Sequence, residues 1–418
     1  MWEEAGPSGA SKSAVDVSRQ HDAIFNELMQ ECKYSAPGAR LSARLRTALE
    51  SAALAAWRRA TALRHAGGRY LPKGPPRAPP PPAAVGGARE WRSLADLQAA
   101  AGDMDALRAQ SLLVAARVLG PDHKDTLFRL MYRGASYADA FRYQRCVDLW
   151  TWALRIRIEK DSLLYPDTRG LLERGEGGGG GGGGGGEVPR HEDAMRVFRL
   201  VADDLPGCRR LLETRPVFKT QADTFDRALR CVTHLVFLLT ETARTAAQRR
   251  EVGAAVGALV ARDVRSAHTG DTLLHLSASR LNVIRSTYFG EEAASTEPTF
   301  PSVRVARLLL ACGADARTRN EARSTPLHVA AIPYNFSTEL VLALLEGGAH
   351  LDQPNRFGDC AAELVALNRH SLVPVVRHTT LACLAARALV AHCRDAGLPL
   401  PTPALPDTLR RFLDLHTP

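Results

Sequence analysis

Apolar residues along this chain recur mostly at helical spacing. Phe225, Ala228, Leu229, Val232, Leu235, Val236 and Leu239 return every three or four positions and predict one buried stripe within a helical segment over 191–261. Leu49, Ala53, Ala56, Trp57, Ala60 and Leu63 make a similar stripe over Leu49–Arg64. Leu94, Leu97, Leu107, Leu112 and Leu113 mark helix across Ser93–Leu119. Between these stripes the pattern stops. Tyr70–Gly87 is rich in Pro and Gly, with prolines at Pro79–Pro82, and reads as a stiff linker or loop. Gly177–Gly186 is a run of ten glycines. It lacks the fixed positions and the Lys-Ser/Thr of a phosphate-binding loop and reads as a flexible insertion. Residues 1–20 read as disordered, with helical patterning from His21 onward. The expected fold is all-α.

Two stretches carry repeat grammar. Ser324–Ala331 reads S-T-P-L-H-V-A-A, followed by an apolar run at Leu340–Leu345 and then G-G-A-H-L-D at Gly347–Asp352. T-P-L-H-x-A is the signature of an ankyrin repeat. Thr325 and Pro326 open the first helix, where proline lacks only a donor that would be unpaired anyway. His328 sits early in that helix, where its ring can tie neighbouring turns and loops, and Gly347 and Gly348 end the second helix. An upstream copy has Thr272, Leu273, Leu274, His275 and Leu276, then Leu308–Asp315; Gly358–Leu364 is a degraded third copy. Gly313 and Gly348 lie 35 residues apart, against about 33 for one repeat. Thr272 and Thr325 are 53 apart, so about 20 residues are inserted, and the loop-like segment Ser286–Pro301 fits the surplus.

The second grammar is weaker. Gly134, Tyr137, Cys146, Trp150 and Ala153 fall at tetratricopeptide spacing, with Cys for Ala and Trp for Phe. Small residues there let paired helices approach, and Trp150 would fill the groove. A core aromatic would look the same. The expected architecture is a helical repeat solenoid: tetratricopeptide-like helices over 21–175 interrupted by the 70–87 linker, a poly-Gly linker over 176–190, bridging helices over 191–265, ankyrin repeats over 266–370, and closing helices over 378–418.

Composition narrows the function. The chain has 418 residues and a net charge of +9. Its basic residues are mainly Arg, spread along helices, so solvated helix faces explain the charge as well as nucleic acid would, and no nucleic-acid partner is expected. Eight scattered cysteines without a C-x-x-C pair favour reduced thiols, and hence cytoplasm or nucleus, over a secreted disulfide scaffold. Met1–Glu4 has no signal-peptide character, and the longest apolar run, near Val232–Leu239, is too short to span a membrane. No nucleophile with a base and an orienting group stands out, so a catalytic role is not expected. His275 and His328 recur at one repeat position and read as framework. His392 and Cys393 are adjacent without a second pair at zinc spacing, so neither a metal nor a cofactor is expected. No lysine occurs between Thr220 and Pro418; an Arg-rich, GC-biased composition accounts for that more simply than selection against self-modification.

The closing segment is the most informative for function. In Leu381–Val390, one helical face carries Leu381, Leu384, Ala385, Ala388 and Leu389, and a second carries Cys383, Ala386 and Val390. A helix apolar on two sides must be covered from two directions. The ankyrin stack can cover one. The tail, with Leu405, Leu409, Phe412 and Leu413 on one face, or a partner must cover the other. Two readings stay open: an adaptor whose closing helices recruit partners, and an ankyrin scaffold whose closing helices cap the stack.

Several of these motifs together resemble the feminization-one (Fem) family, the ankyrin-repeat substrate receptors of cullin-two ubiquitin ligases. The resemblance runs through Arg117–His123, Tyr132–Asp139, Phe300–Ser302 with Leu308–Asp315, and Leu381–Ala388 with the closing Leu405-Pro406-x-x-Leu409-x-x-Phe412. It implies a non-catalytic substrate-recognition subunit with a two-part box over 378–418. Leu381, Cys383, Leu384 and Ala385 would contact elongin C of the elongin B/C adaptor, and Leu405, Pro406, Leu409 and Phe412 the cullin. Family members recognise substrates with C-terminal degrons through a long N-terminal ankyrin array. No T-P-L-H copy precedes Thr272, so that array is expected to be missing, as in a fragment, a short gene model or an isoform.

Overall fold

The computed structural model describes residues 43–66, 70–76, 78–99, 102–140, 142–160, 162–164, 190–214, 218–283, 299–369, 371–401 and 404–417. The segments expected to be disordered (1–20), the helical start near His21, the glycine run and most of the 286–301 insertion lie outside these residues. The described residues form helices and turns, with a single isolated bridge between Pro354 and Cys360. The chain divides into two compact units, 1–129 and 130–418.

The first unit contains α1 (Ala43–Arg64), α2 (Pro82–Val85), α3 (Leu94–Ala99), α4 (Met104–Val118) and the start of α5 (Lys124–Asp139). The predicted α4 stripe is buried at Leu107, Leu112 and Leu113, and Leu97 is buried in α3, whereas Leu94 opens α3 exposed. The Pro-rich stretch is tied down. Lys73 pairs with Glu90 at 2.9 Å and donates to the Trp91 carbonyl, and Arg117 pairs with Glu90 from its other side at 2.6 Å. Pro82 opens a one-turn helix that buries Ala84 and Val85. Trp57 meets Trp91 edge-on at 5.6 Å.

The second unit continues through α6 (Tyr143–Lys160), α7 (His191–Thr214), α8 (Lys219–Thr242) and α9 (Ala246–Val260). Every residue of the predicted Phe225–Leu239 stripe is buried in α8, which packs along α7. Gly134 lies against Trp150, whose indole N–H donates to the Met131 carbonyl at 3.1 Å. A Cβ at Gly134 would run into the indole ring, which is why only glycine fits there.

The repeats follow as α10 (Leu273–Ser277) with α11 (Val303–Ala311), then α12 (Pro326–Ala331) with α13 (Thr338–Glu346). The degraded third copy gives α14 (Ala361–Leu367) and only one further turn, α15 (Val375–His378). The two histidines behave as framework. His328 Nδ1 accepts from the Thr325 backbone N–H at 3.1 Å and from its hydroxyl at 2.8 Å, while Nε2–H donates to the Asp359 carbonyl. His275 does the same with Thr272, and its Nε2–H reaches Ser324. Each ring therefore closes its own helix start and grips the next repeat. Burial lowers the pKa of both rings from the ordinary histidine value.

The paired glycines divide their work. Gly348 takes the left-handed conformation, at φ 94°, whereas Gly347 stays at φ −75° and is small because Leu310 presses on it. Asp226 of α8 links the bridging helices to the first repeat: its carboxylate accepts from the Ser266 hydroxyl and from the backbone N–H groups of Ala267 and His268. One continuous apolar core runs from Leu154 to Val373.

Candidate partner-binding helix pair

Two helices close the chain: α16 (Leu381–Asp395) and α17 (Asp407–Leu415). Thr380 caps α16 by accepting from the Cys383 N–H at 3.1 Å. Gly397 then turns the chain at φ 62°, and the Leu398–Pro406 segment leads into α17.

At about 100° per residue, α16 separates into two opposite faces. Cys383, Ala386 and Cys393 are buried, with Val390 half-buried beside them. Leu381, Leu384, Ala385 and Ala388 point the other way and are exposed, Leu381 by 84% and Leu384 by 49%. The adjoining chain leaves Leu367, Leu372 and Val376 exposed as well. An apolar side chain exposed alone is ordinary; several on one helical face beside further exposed ones are a candidate interface.

The sequence-derived contact set is thus split. Leu381, Leu384 and Ala385 share the outward face. Cys383 does not: it lies about 200° round the helix from Leu381, is 1% exposed, and its sulfur faces His350 at 3.8 Å. In this state the Cys383 side chain is closed to a partner. In the second set, Pro406 is exposed and Leu409 is 50% exposed, while Leu405 and Phe412 are half-buried. Phe412 leans on the His416 ring at 4.7 Å and toward His350 at 6.2 Å. His392 and Cys393 point to opposite sides, exposed and buried.

The buried residues of these helices, Cys383, Ala386, Cys393 and Leu413, stand apart from the main apolar core. Polar groups make much of the attachment. Arg319, from the loop after α11, donates to the carbonyls of Leu415 and Thr417 at the end of α17. His416 Nδ1–H donates to the Phe412 carbonyl at 2.8 Å, and Nε2 faces the Asp352 carboxylate at 3.1 Å. Burial opposes a charged His416, but the bonds to Asp352 and Phe412 outweigh it and push its pKa up to about 9. For Asp352, burial acts in the raising direction, and the hydrogen bond from His416 overcomes it and holds the carboxyl below its ordinary range. The sequence offered little warning of this cluster. Cys383 lies 31 residues beyond Asp352 and 33 before His416, and only the His350-x-Asp352 pair is local.

The described residues are those of an all-α, ankyrin-repeat protein built for contact with other proteins, and none of their helices is long and apolar enough to cross a membrane. The ankyrin repeat family model matches residues 323–356. Protein fem-1 homolog A of Danio rerio is 34% identical over 376 residues, covering 86% of this chain and 57% of that protein. Its Homo sapiens counterpart is 34% identical over 370 residues, covering 87% and 53%. Protein fem-1 homolog C of Danio rerio is 30% identical over 378 residues, covering 87% and 57%. The chain belongs to the Fem-1 family, and it spans a little over half the length of these curated relatives.

Proposed function

We propose that this chain is a substrate-recognition adaptor of a cullin-RING ubiquitin ligase, in which α16 docks the elongin B/C adaptor and α17 reaches cullin-two. The observation that carries the reading is the outward face of Leu381, Leu384, Ala385 and Ala388, exposed on a helix whose other face is already covered. Family membership supports the same reading, since the two-part box is the Fem feature these residues resemble. Elongin C would take Leu381, Leu384 and Ala385; the cullin would take Pro406 and Leu409, with the Leu405 and Phe412 edges at the rim. The chain itself would do no chemistry. It would place a bound protein in reach of a ubiquitin-loaded enzyme in the cytoplasm or nucleus. Proteins with C-terminal degrons are the proposed cargo wherever a substrate-binding ankyrin array accompanies this chain.

Co-purification with elongins B and C, comparing wild type with Leu381→Ser and Leu384→Ser, tests the reading. Loss of recovery in the variants, with unchanged thermal stability, supports it. Equal recovery, or no recovery by any form, leaves the ankyrin scaffold as the function.

A further inference from the structure

Beneath the exposed face of α16, four side chains of metal-ligating type converge. His350 Nδ1, an Asp352 carboxylate oxygen, Cys383 Sγ and a His416 ring nitrogen all lie within 4.8 Å of one another. Asp352, Cys383 and His416 are each at most 3% exposed, and His350 closes the outer side. We propose that these residues form a structural zinc site that fastens the two closing helices to the ankyrin stack. This goes beyond the adaptor reading and does not depend on it.

The donor chemistry fits. One thiolate, two imidazole nitrogens and one carboxylate oxygen make a four-ligand set of the type zinc takes in tetrahedral sites, and a set filled entirely by protein is structural rather than catalytic. Donors held at 2.0–2.3 Å from zinc stand about 3.3–3.8 Å apart. The widest separation here, up to 4.8 Å, needs a contraction of about 1.0–1.5 Å, within side-chain reach.

The surrounding groups are arranged as ligand supports. His416 donates its Nδ1–H to the Phe412 carbonyl, which fixes the tautomer that leaves Nε2 toward Asp352 and the centre. The Thr380 hydroxyl donates to the Cys383 sulfur at 3.1 Å, and the Cys383 backbone N–H fixes that hydroxyl in turn. On binding, the metal displaces the thiol proton of Cys383 and the proton held between His416 and Asp352, and both leave to solvent.

The placement explains why a metal would matter here. The ligands come from three separate segments: the loop after α13, the first turn of α16 and the end of α17. These helices stand apart from the main apolar core. A small apolar contact gains most from a metal that joins its parts. The competing arrangement is a plain His416–Asp352 ion pair with a bystander thiol.

The full chain, purified without chelator, is expected to carry one zinc, and cobalt substitution is expected to give tetrahedral d–d bands with a thiolate-to-cobalt charge-transfer band. Cys383→Ser should lose that band and bind zinc at least tenfold more weakly, and Cys393→Ser, on the same helix but outside the set, should keep both. Removing the hydroxyl with Thr380→Val should weaken zinc by about 10-fold or more. Chelator should lower the melting temperature of wild type and of Cys393→Ser, and leave Cys383→Ser unmoved. A wild-type chain with neither zinc nor the charge-transfer band, or zinc content unchanged in Cys383→Ser, would overturn the assignment.

Discussion

The Arg319 guanidinium donates to the Leu415 carbonyl at 2.8 Å, so a side chain from the ankyrin stack occupies the carboxyl end of the last helix. Helix ends leave carbonyls without partners and carry partial negative charge, and an arginine fork suits both. Burial lowers the Arg319 pKa somewhat, yet its charge persists because an arginine stays protonated through the ordinary range.

Arg319→Met is expected to cost about 1.5–3 kcal/mol, the range for hydrogen bonds to a charged group. The effect should be local. Amide exchange across α17 should quicken, while α7 and α8 stay protected. Uniform exchange changes across the second unit would show that the contact is not confined to the tail.

Gly134 and Gly253 are expected to respond oppositely to alanine. Both sit inside helices, where alanine is favoured by about 1 kcal/mol on backbone grounds. At Gly253 nothing lies near the added Cβ, so stability should rise by up to about 1 kcal/mol. At Gly134 the Cβ meets the Trp150 indole, and overpacking should cost about 1–3 kcal/mol. Urea unfolding of the two variants checks the sign of each.

Asp226→Ala should destabilise the junction between α8 and the first repeat by about 2–4 kcal/mol, because three donors from 266–268 lose one buried acceptor. Asp226→Asn keeps an acceptor oxygen and should cost less. Proteolytic sensitivity of the 263–272 segment should rise in the same order.

Acid should weaken the second unit through its buried histidines. Burial pushes the His234 pKa down to about 4, against an ordinary 6.5, although its Nε2–H donates to the Asn282 carbonyl. His275 and His328 shift the same way for the same reason. Above 6.5 these rings are neutral in both folded and unfolded chains. As pH falls toward 4 the unfolded chain binds protons first, so stability is lost across that window. His234 alone accounts for about 3 kcal/mol by pH 4. Denaturant midpoints measured from about pH 6 to 4.5, where His416 is charged in both folded and unfolded chains, should fall, and less so for His234→Gln.

Local periodicity made the helices and repeats readable. The Phe225–Leu239 stripe announced a buried face by spacing alone, and T-P-L-H announced both the helix start and the histidine that closes it. The outward set on α16 was legible for the same reason: Leu381, Leu384 and Ala385 recur on one side of a wheel. Cys383 was grouped with them as a partner contact because family motifs run along sequence, whereas burial runs round the helix. Long-range partners left no such trace. Arg319 meets residues nearly a hundred positions away, and His350, Asp352 and His416 gather only once the tail has folded back. The Lys73–Glu90–Arg117 triad likewise turned a stretch that composition marks as a linker into packed structure.

The ankyrin histidines also give the array a direction. Each spends its far nitrogen on the repeat that follows: His275 on Ser324, His328 on Asp359. Loss of a repeat from the carboxyl side therefore strips the ring before it of the acceptor for its Nε2–H, while loss from the amino side leaves the rings of the repeats still standing fully bonded. Like a zip fastener with a single slider, each ring is held at both ends only while the repeat after it stays in place.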